Sequence, residues 1–152
     1  MAKPALAAVG LALAAWLVPA AAPAGPSPSA TVREILDGDE LFIEARRARP
    51  NEMARSPERV STGASRGQLL FAQGAAGRLN RFSQLRLGTT CFVLSRGQIL
   101  VSGRQDGCTP TARLKVTGTT YVLAVTGRGE AEVLVLEGVL RREPIRRGTA
   151  VG

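Results

Sequence analysis

The sequence contains no histidine, only two cysteines and a single tyrosine. Without an imidazole, acid–base catalysis by histidine, histidine-containing zinc sites and Ser-His-Asp triads are all excluded. The acidic pair Glu130 and Glu132 would be the remaining base for a hydrolase, but exposed acids beside turns are usually only solvated. We therefore expect a protein that is not an enzyme, with no catalytic residues, no metal site and no cofactor.

The N-terminus has the composition of a secretory signal peptide. A single cation at Lys3 precedes an apolar run, which ends in the small residues Ala22 and Ala24. We predict a signal peptide over residues 1–24 that is cleaved after Ala24, and retention as an inner-membrane anchor is the alternative. Residues 25–30 are predicted to form a Pro/Ser linker. The expected compartment is the periplasm or the exterior of the cell.

The charge of the chain is strongly basic, with 20 Lys and Arg residues against 12 acids and a formal net charge of +8. Arginines dominate residues 45–90, and residues 141–152 form a predicted basic C-terminal tail. Arg46, Arg47 and Arg49 are candidate contacts for an anion or a partner. Because no aromatic residues are interleaved with the arginines, we expect no nucleic acid. Anionic envelope glycans or lipid headgroups fit better, with a merely solvated arginine face as the alternative.

The two cysteines, Cys91 and Cys108, do not have a CxxC spacing. In the oxidising compartment that the leader predicts, one structural disulfide between them is the natural pairing. A redox-active pair is the alternative, although neither cysteine lies in an evident setting that would lower its thiol pKa.

Turn signals recur about every ten residues from Gly38 to Gly138, with short β-branched and apolar runs between them. This spacing predicts an all-β fold, a compact antiparallel sandwich or roll of short strands. The segment Ser65–Phe71 is echoed by Ser95–Val101. That echo leaves a solenoid-like stack of hairpins as the alternative architecture.

Four local expectations follow from the same patterns. Asp37-Gly38 predicts a hairpin between the flanking strands, and Arg96-Gly97 predicts a second one. Residues 45–58, rich in Arg and containing two prolines, are predicted to be an exposed connection. The run Val133–Leu136 is apolar on both faces and predicts a central strand.

Several segments together resemble the FecR domain family over residues 31–140. The matching pieces are Val60-Ser61-Thr62-Gly63, Ser65–Phe71, Ser83–Leu87, Gly97–Val101, Gly118-Thr119-Thr120-Tyr121, and the apolar strand ending at Glu137-Gly138-Val139. The resemblance implies a periplasmic all-β module that, in the founding members, senses a liganded outer-membrane receptor and signals to a cytoplasmic sigma factor.

We expect the domain alone, with no cytoplasmic segment before the apolar stretch and no second domain after residue 140. The function it implies is an exported binding, adaptor or sensory module with an envelope protein as partner. An electrostatic binder of anionic envelope polymer is the alternative, and contact with the membrane is expected only if the leader is retained.

The motif residues of that resemblance are expected to act as scaffold. They are Gly118, Thr119, Thr120, Tyr121 and Gly138. Gly118 permits a backbone conformation that a Cβ would block, and Tyr121 can bury its ring while its hydroxyl reaches a polar partner. A ligand site at Tyr121 is the alternative.

Overall fold

A computed structural model describes residues 28–145, and every regular element in that range is a β-strand. The all-β prediction is therefore confirmed. The predicted signal peptide, residues 25–27 of the predicted linker and residues 146–152 of the predicted tail lie outside the described residues. The fourteen strands are β1 (Ser29–Leu36), β2 (Leu41–Ile43), β3 (Arg46–Arg47), β4 (Met53–Arg55), β5 (Arg59–Thr62), β6 (Arg66–Phe71), β7 (Ala76–Leu79), β8 (Gln84–Leu87), β9 (Phe92–Gly103), β10 (Gly107–Cys108), β11 (Ala112–Val116), β12 (Thr119–Val125), β13 (Ala131–Glu137) and β14 (Leu140–Pro144).

The strands form one curled, mainly antiparallel sheet whose two halves share β9. Half-sheet A has the order β4-β1-β6-β7-β9-β12-β13, and half-sheet B has the order β3-β2-β5-β8-β9-β10-β11-β14. The first residues of β9 pair with β8, whereas its residues from Gly97 onward pair with β12. Gly97 has a φ of +86°, so the strand bends where it passes from one half to the other.

The two halves bury their inward faces in one core. Alternate residues of β12 illustrate the pattern, because Tyr121 and Leu123 are fully buried while Val122 between them is partly exposed. This alternation follows from the two-residue period of a strand. Phe71 of β6 stacks on Phe92 of β9 with ring centroids 5.5 Å apart, which ties the core of half-sheet A to that of half-sheet B.

Both predicted hairpins are wrong. Strand β1 pairs with β4 and β6, while β2 pairs with β3 and β5, so the two strands that flank Asp37-Gly38 do not pair with each other. Asp37 and Gly38 do adopt positive φ, as a turn requires, but the turn carries the chain from half-sheet A to half-sheet B. Gly97 likewise bends one continuous strand, and the chain does not reverse there.

The predicted central strand is also wrong. Val133–Leu136 belongs to β13, which pairs with β12 alone among the described residues and so lies at an edge. The exposed connection expected over residues 45–58 contains β3 and β4 and buries Ala48 and Ala54. The pairing order is not a stack of successive hairpins, since β5 pairs with β2 and β8.

The ends of the sheet lie beyond the limits set from sequence. Strand β1 begins at Ser29, inside the predicted linker, and β14 pairs with β11 as far as Pro144, past residue 140. Residues 28–145 include no helix of the length and apolarity that a membrane crossing requires.

Candidate binding surfaces

Two of the four strands that end the sheet lie next to each other in the chain. We call β13, β14 and the two residues that connect them, residues 131–144, the seam. Among residues 28–145, β13 is hydrogen-bonded only to β12 and β14 only to β11. Each strand therefore presents one row of backbone N–H and C=O groups to whatever adds beside it.

The seam is unusually apolar for a sheet edge. Its exposed aliphatic side chains are Leu134 (59% exposed), Val135 (40%), Leu136 (57%) and Val139 (76%). Edge strands are normally protected by charges, proline or short length, and contiguous exposed apolar residues mark interaction sites. Pro144 protects the far end of β14, but no proline interrupts β13.

The two faces of β13 differ in what they contact. Val133 is opposite Leu123 of β12 and packs against the core. Leu134 is opposite Val122, on the outer face. A register shift between Thr120 and Tyr121 adds Leu136 as an extra residue on β13, which leaves this side chain largely exposed.

The charges of the seam are separated by strand. Glu130, Glu132 and Glu137 lie on the β13 side, are exposed and make no ion pair within the described chain. Strand β14 carries Arg141 and Arg142, and the Arg141 Nε lies 3.7 Å from a Glu143 oxygen with 74% of the arginine side chain exposed. Such exposed ion pairs contribute little to stability. Strand β13 therefore presents acidic side chains and β14 presents two arginines at neighbouring edges of the sheet.

The motif residues of the FecR resemblance position this seam. The Thr119 hydroxyl donates to the Val139 carbonyl at 2.6 Å, and Thr120 shares a 3.1 Å hydroxyl contact with Ser102. Gly138 has a φ of +89°, and a Cβ there would lie 3.1 Å from the Thr119 Cα. Gly118 has a φ of +76° with open space around it. Of these residues, Thr119 and Gly138 contact each other where the chain leaves β13 and enters β14.

Tyr121 is part of the core. Its ring is fully buried, and its hydroxyl donates a 2.7 Å hydrogen bond to the Gln105 carbonyl. Burial raises the pKa of the phenol far above its ordinary value, with a smaller contribution from the nearby Asp106 carboxylate. The structure therefore places Tyr121 where it supports the loop before β10.

The disulfide prediction is confirmed. Cys91 and Cys108 are bonded with their Cα atoms 5.9 Å apart, and β10 runs parallel to the start of β9. Asp106 holds the same loop, because its carboxylate accepts from Arg113 Nη2 at 2.9 Å and from the Val116 amide at 3.1 Å. The bridge therefore holds β10 beside the start of β9. A disulfide is favoured in an oxidising compartment outside the cytoplasm.

The three arginines chosen from sequence occupy different environments. Arg46 lies 3.5 Å from Glu58, and Arg47 lies 2.6 Å from Asp39 while its guanidinium covers the Phe42 ring at 5.9 Å. The structure brings these two together on β3. Arg49 lies outside β3, is exposed and has no ion pair in residues 28–145.

A second arginine group is evident only from the strand pairing. Arg59 of β5 lies directly opposite Arg86 of β8, and Arg96 of β9 is opposite Gln84 on the same half-sheet. None of the three forms an ion pair within the described range, although the Arg59 amide donates to Glu44 Oε1 at 2.9 Å. Like charges directly opposite across two strands repel. Nothing in the sequence alone indicates that Arg59 and Arg86 lie opposite each other.

Comparison with known proteins gives no match: no protein-family model, no curated protein and no solved structure is similar to this chain. The described residues also contain no group of three or more His, Cys, Asp or Glu side chains with the geometry of a metal site. The chemistry of the seam and of the arginine faces is therefore the basis for a functional proposal.

Proposed function

We propose that this chain is an exported, non-enzymatic binding or adaptor module of the FecR type, and that it captures an envelope protein by accepting an extended segment beside β13. The observation that carries the proposal is the unpaired apolar edge of the seam, with Leu134 59% and Leu136 57% exposed. Strand addition supplies affinity through backbone hydrogen bonds and specificity through alternate side chains. A sensory role would use the same contact.

The chemistry of β13 defines the partner segment. Aliphatic side chains of the partner would pack on Leu134 and Leu136, and basic side chains would lie opposite Glu132 and Glu137. The expected partner is therefore an extended envelope-protein segment that carries aliphatic and basic side chains on the same face of its strand.

The proposed location is the periplasm or the exterior, with the leader removed after Ala24. The confirmed bridge between Cys91 and Cys108 supports an oxidising location, and the leader pattern supports export. Because Trp16 is the only tryptophan, mature protein from the envelope should show no tryptophan fluorescence. Clear tryptophan emission would instead show that the leader is retained.

Photo-crosslinking in intact cells tests the partner proposal. A photoreactive residue at position 134 should link the protein to one envelope protein through the seam. The matched control is position 82, because Phe82 is equally apolar and 64% exposed but lies between β7 and β8. Leu136→Lys in the same chain should abolish the link at position 134. Equal crosslinking from both positions, or none from 134, would reject the proposed edge.

A second candidate, an electrostatic binder of anionic envelope polymer, is favoured by the opposed Arg59 and Arg86. A polyanion lying across β5 and β8 would relieve their repulsion, and binding should weaken steeply with ionic strength. On a heparin column, Arg59→Ser with Arg86→Ser should lower the eluting salt concentration. Arg46→Ser with Arg47→Ser, which removes the same charge from ion-paired residues, should change it less. Equal effects would remove this candidate.

A further inference from the structure

We propose that two copies of this chain close their seams on each other, with β13 of each copy pairing antiparallel to β14 of the other. The inference rests on the proposed function, because it uses the same β13 edge, and it makes self-association a competitor of the envelope partner. The surface consists of two of the four edges that residues 28–145 leave open, the other two being β3 and β4.

The arrangement of the edges suits a two-fold dimer. Strands β13 and β14 follow each other along one edge, because they pair with β12 and β11 in one nearly continuous antiparallel register. A two-fold axis perpendicular to the strands, between Leu136 and Glu137 of the two copies, would place β13 of each copy beside β14 of the other. One symmetric contact would then pair both open backbone rows of both copies at once. The curled half-barrel would continue from one copy into the next, and no edge of either seam would remain exposed.

The separation of charge selects this pairing over the alternatives. If β13 met a second β13 with its aliphatic run centred, Glu132 would oppose Glu137 of the other copy, and a β14 pair would bring arginines together. Pairing β13 with β14 in the register described below, in which Glu143 faces Glu130 at the frayed end beside Pro144, instead sets Glu132 against Arg141 of the other copy. This is the complementarity that distinguishes a specific contact from adhesion of any two apolar edges.

One antiparallel register satisfies both faces. It places Glu132 opposite Arg141 and Val133 opposite Leu140 of the second copy. Glu132 is opposite Ala124 and Arg141 is opposite Lys115 within each copy, so both charged residues project on the outer face. Val133 and Leu140 both pack against the core, so they meet on the inner face.

The same register covers the most exposed apolar residues of the seam. Leu134, which is 59% exposed, would lie opposite Val139, which is 76% exposed. Dimerisation would therefore hide the surface that the envelope partner needs. Partner binding would have to displace the second copy, so its apparent affinity should fall as protein concentration rises.

Analytical ultracentrifugation of the mature chain over a range of concentrations tests the inference through charge reversal. We expect a concentration-dependent dimer for the wild-type chain. Glu132→Arg alone and Arg141→Glu alone should each raise the dissociation constant about tenfold or more, since attraction becomes repulsion at two symmetric contacts. The double variant should return to within about threefold of the wild-type value.

The matched control is Glu34→Arg, which makes the same charge change on β1 at an exposed acid outside the seam. It should leave the dissociation constant unchanged, and thermal unfolding should show that every variant remains folded. A wild-type chain that stays monomeric at all concentrations overturns the inference. A double variant no tighter than the single variants overturns the register.

The outcomes separate this inference from the proposed function. A monomeric chain that still crosslinks from position 134 to an envelope protein overturns the dimer and leaves the proposed function standing. A dimer whose position 134 crosslinks only to a second copy supports the inference and removes the envelope partner. A dimer that forms only after deletion of residues 146–152 also overturns it, because the chain's own end would then cover the edge.

Discussion

At the scale of single residues, Gly97 allows β9 to serve both half-sheets. Its φ is +86°, and an added Cβ would lie 2.5 Å from the Ser83 Cα, which is backbone and cannot move aside. We expect Gly97→Ala to lower the free energy of unfolding by about 3 kcal/mol or more, through strain in φ and overpacking together. Urea unfolding followed by circular dichroism measures the loss.

Gly74→Ala is the matched control for this prediction. Gly74 has a similar φ of +89°, but nothing lies within 4 Å of its added Cβ. It should therefore show the backbone strain alone, about 1–2 kcal/mol. If the two variants lose the same free energy of unfolding, the close approach of Ser83 to position 97 adds no cost beyond the strain in φ.

Asp37 gives a pH-dependent contribution to stability. Its Oδ2 accepts from Arg66 Nε at 2.6 Å and from Arg81 Nη2 at 2.7 Å. The hydrogen bond from Arg66 lowers the pKa of this carboxyl; desolvation opposes it, and the charges of Arg66 and Arg81 lower the pKa further. A folded-state pKa below the unfolded one favours the ionised, folded form, so the stabilisation is present above about pH 4.

This stabilisation should be lost as the pH falls through the lowered pKa of Asp37. Asp37→Asn, which retains a residue type that tolerates the observed φ of 64°, should be less stable than wild type at pH 7 and should lose less stability between pH 5 and pH 2. Urea midpoints across that range measure the difference. Glu34→Gln, at an exposed acid without an ion pair in the described chain, should follow the wild-type curve. Parallel curves for Asp37→Asn and wild type would contradict the assignment.

At the scale of elements, the sequence predicted strands better than their partners. In β11, apolar and polar residues alternate over Leu114-Lys115-Val116 and Leu114 is buried, and such a two-residue period is a local property of the sequence. Strand pairing depends on contacts between residues distant in sequence. Asp37-Gly38 therefore indicated a turn, but not which strands pair on either side of it. Val133–Leu136 is apolar on both faces for another reason: one face packs on the core and the other is exposed at an edge.

The candidate surfaces show the same limit. Cys91 and Cys108 could be paired from their number and the predicted compartment alone. The opposed Arg59 and Arg86 could not, because only the register of β5 against β8 brings them together. An open edge such as β13 has no local signature either, since edge and centre differ only in what lies beside them.

The element that depends most on the disulfide is β10, a strand of two residues. The bridge closes a separation of 17 residues, and the chain-entropy model gives about 3 kcal/mol for a loop of that size. We expect Cys91→Ala with Cys108→Ala to lower the free energy of unfolding by about this amount while the far-ultraviolet spectrum keeps its β-sheet form. Wild-type protein unfolded in the presence of dithiothreitol should show the same loss.

If the double variant is as stable as wild type, contacts other than the disulfide hold the loop in place. The Tyr121 hydroxyl on Gln105 and the Asp106 carboxylate on Arg113 would then suffice to hold β10 against β9. Free-thiol titration of the unreduced wild-type protein should find no thiol, which checks the premise of the comparison.

At the scale of the whole molecule, the sharing of β9 and of one core should make the two half-sheets unfold together. Leu69 of β6 and Leu85 of β8 are buried in the same cluster from opposite halves. Leu69→Ala and Leu85→Ala should each lower the free energy of unfolding by about 2–5 kcal/mol. Each should also move a single transition, because neither half can keep its inward face covered alone.

Hydrogen exchange checks this cooperativity directly. The slowest amides of β6 and of β8 should exchange with the same free energy, and that value should fall together in either variant. Leu134→Ala is the control, since this residue is 59% exposed and its truncation should change stability by no more than about 0.5 kcal/mol. Two separate transitions, or a variant that weakens protection in only its own half, would show that the bend at Gly97 divides the chain into two independent units.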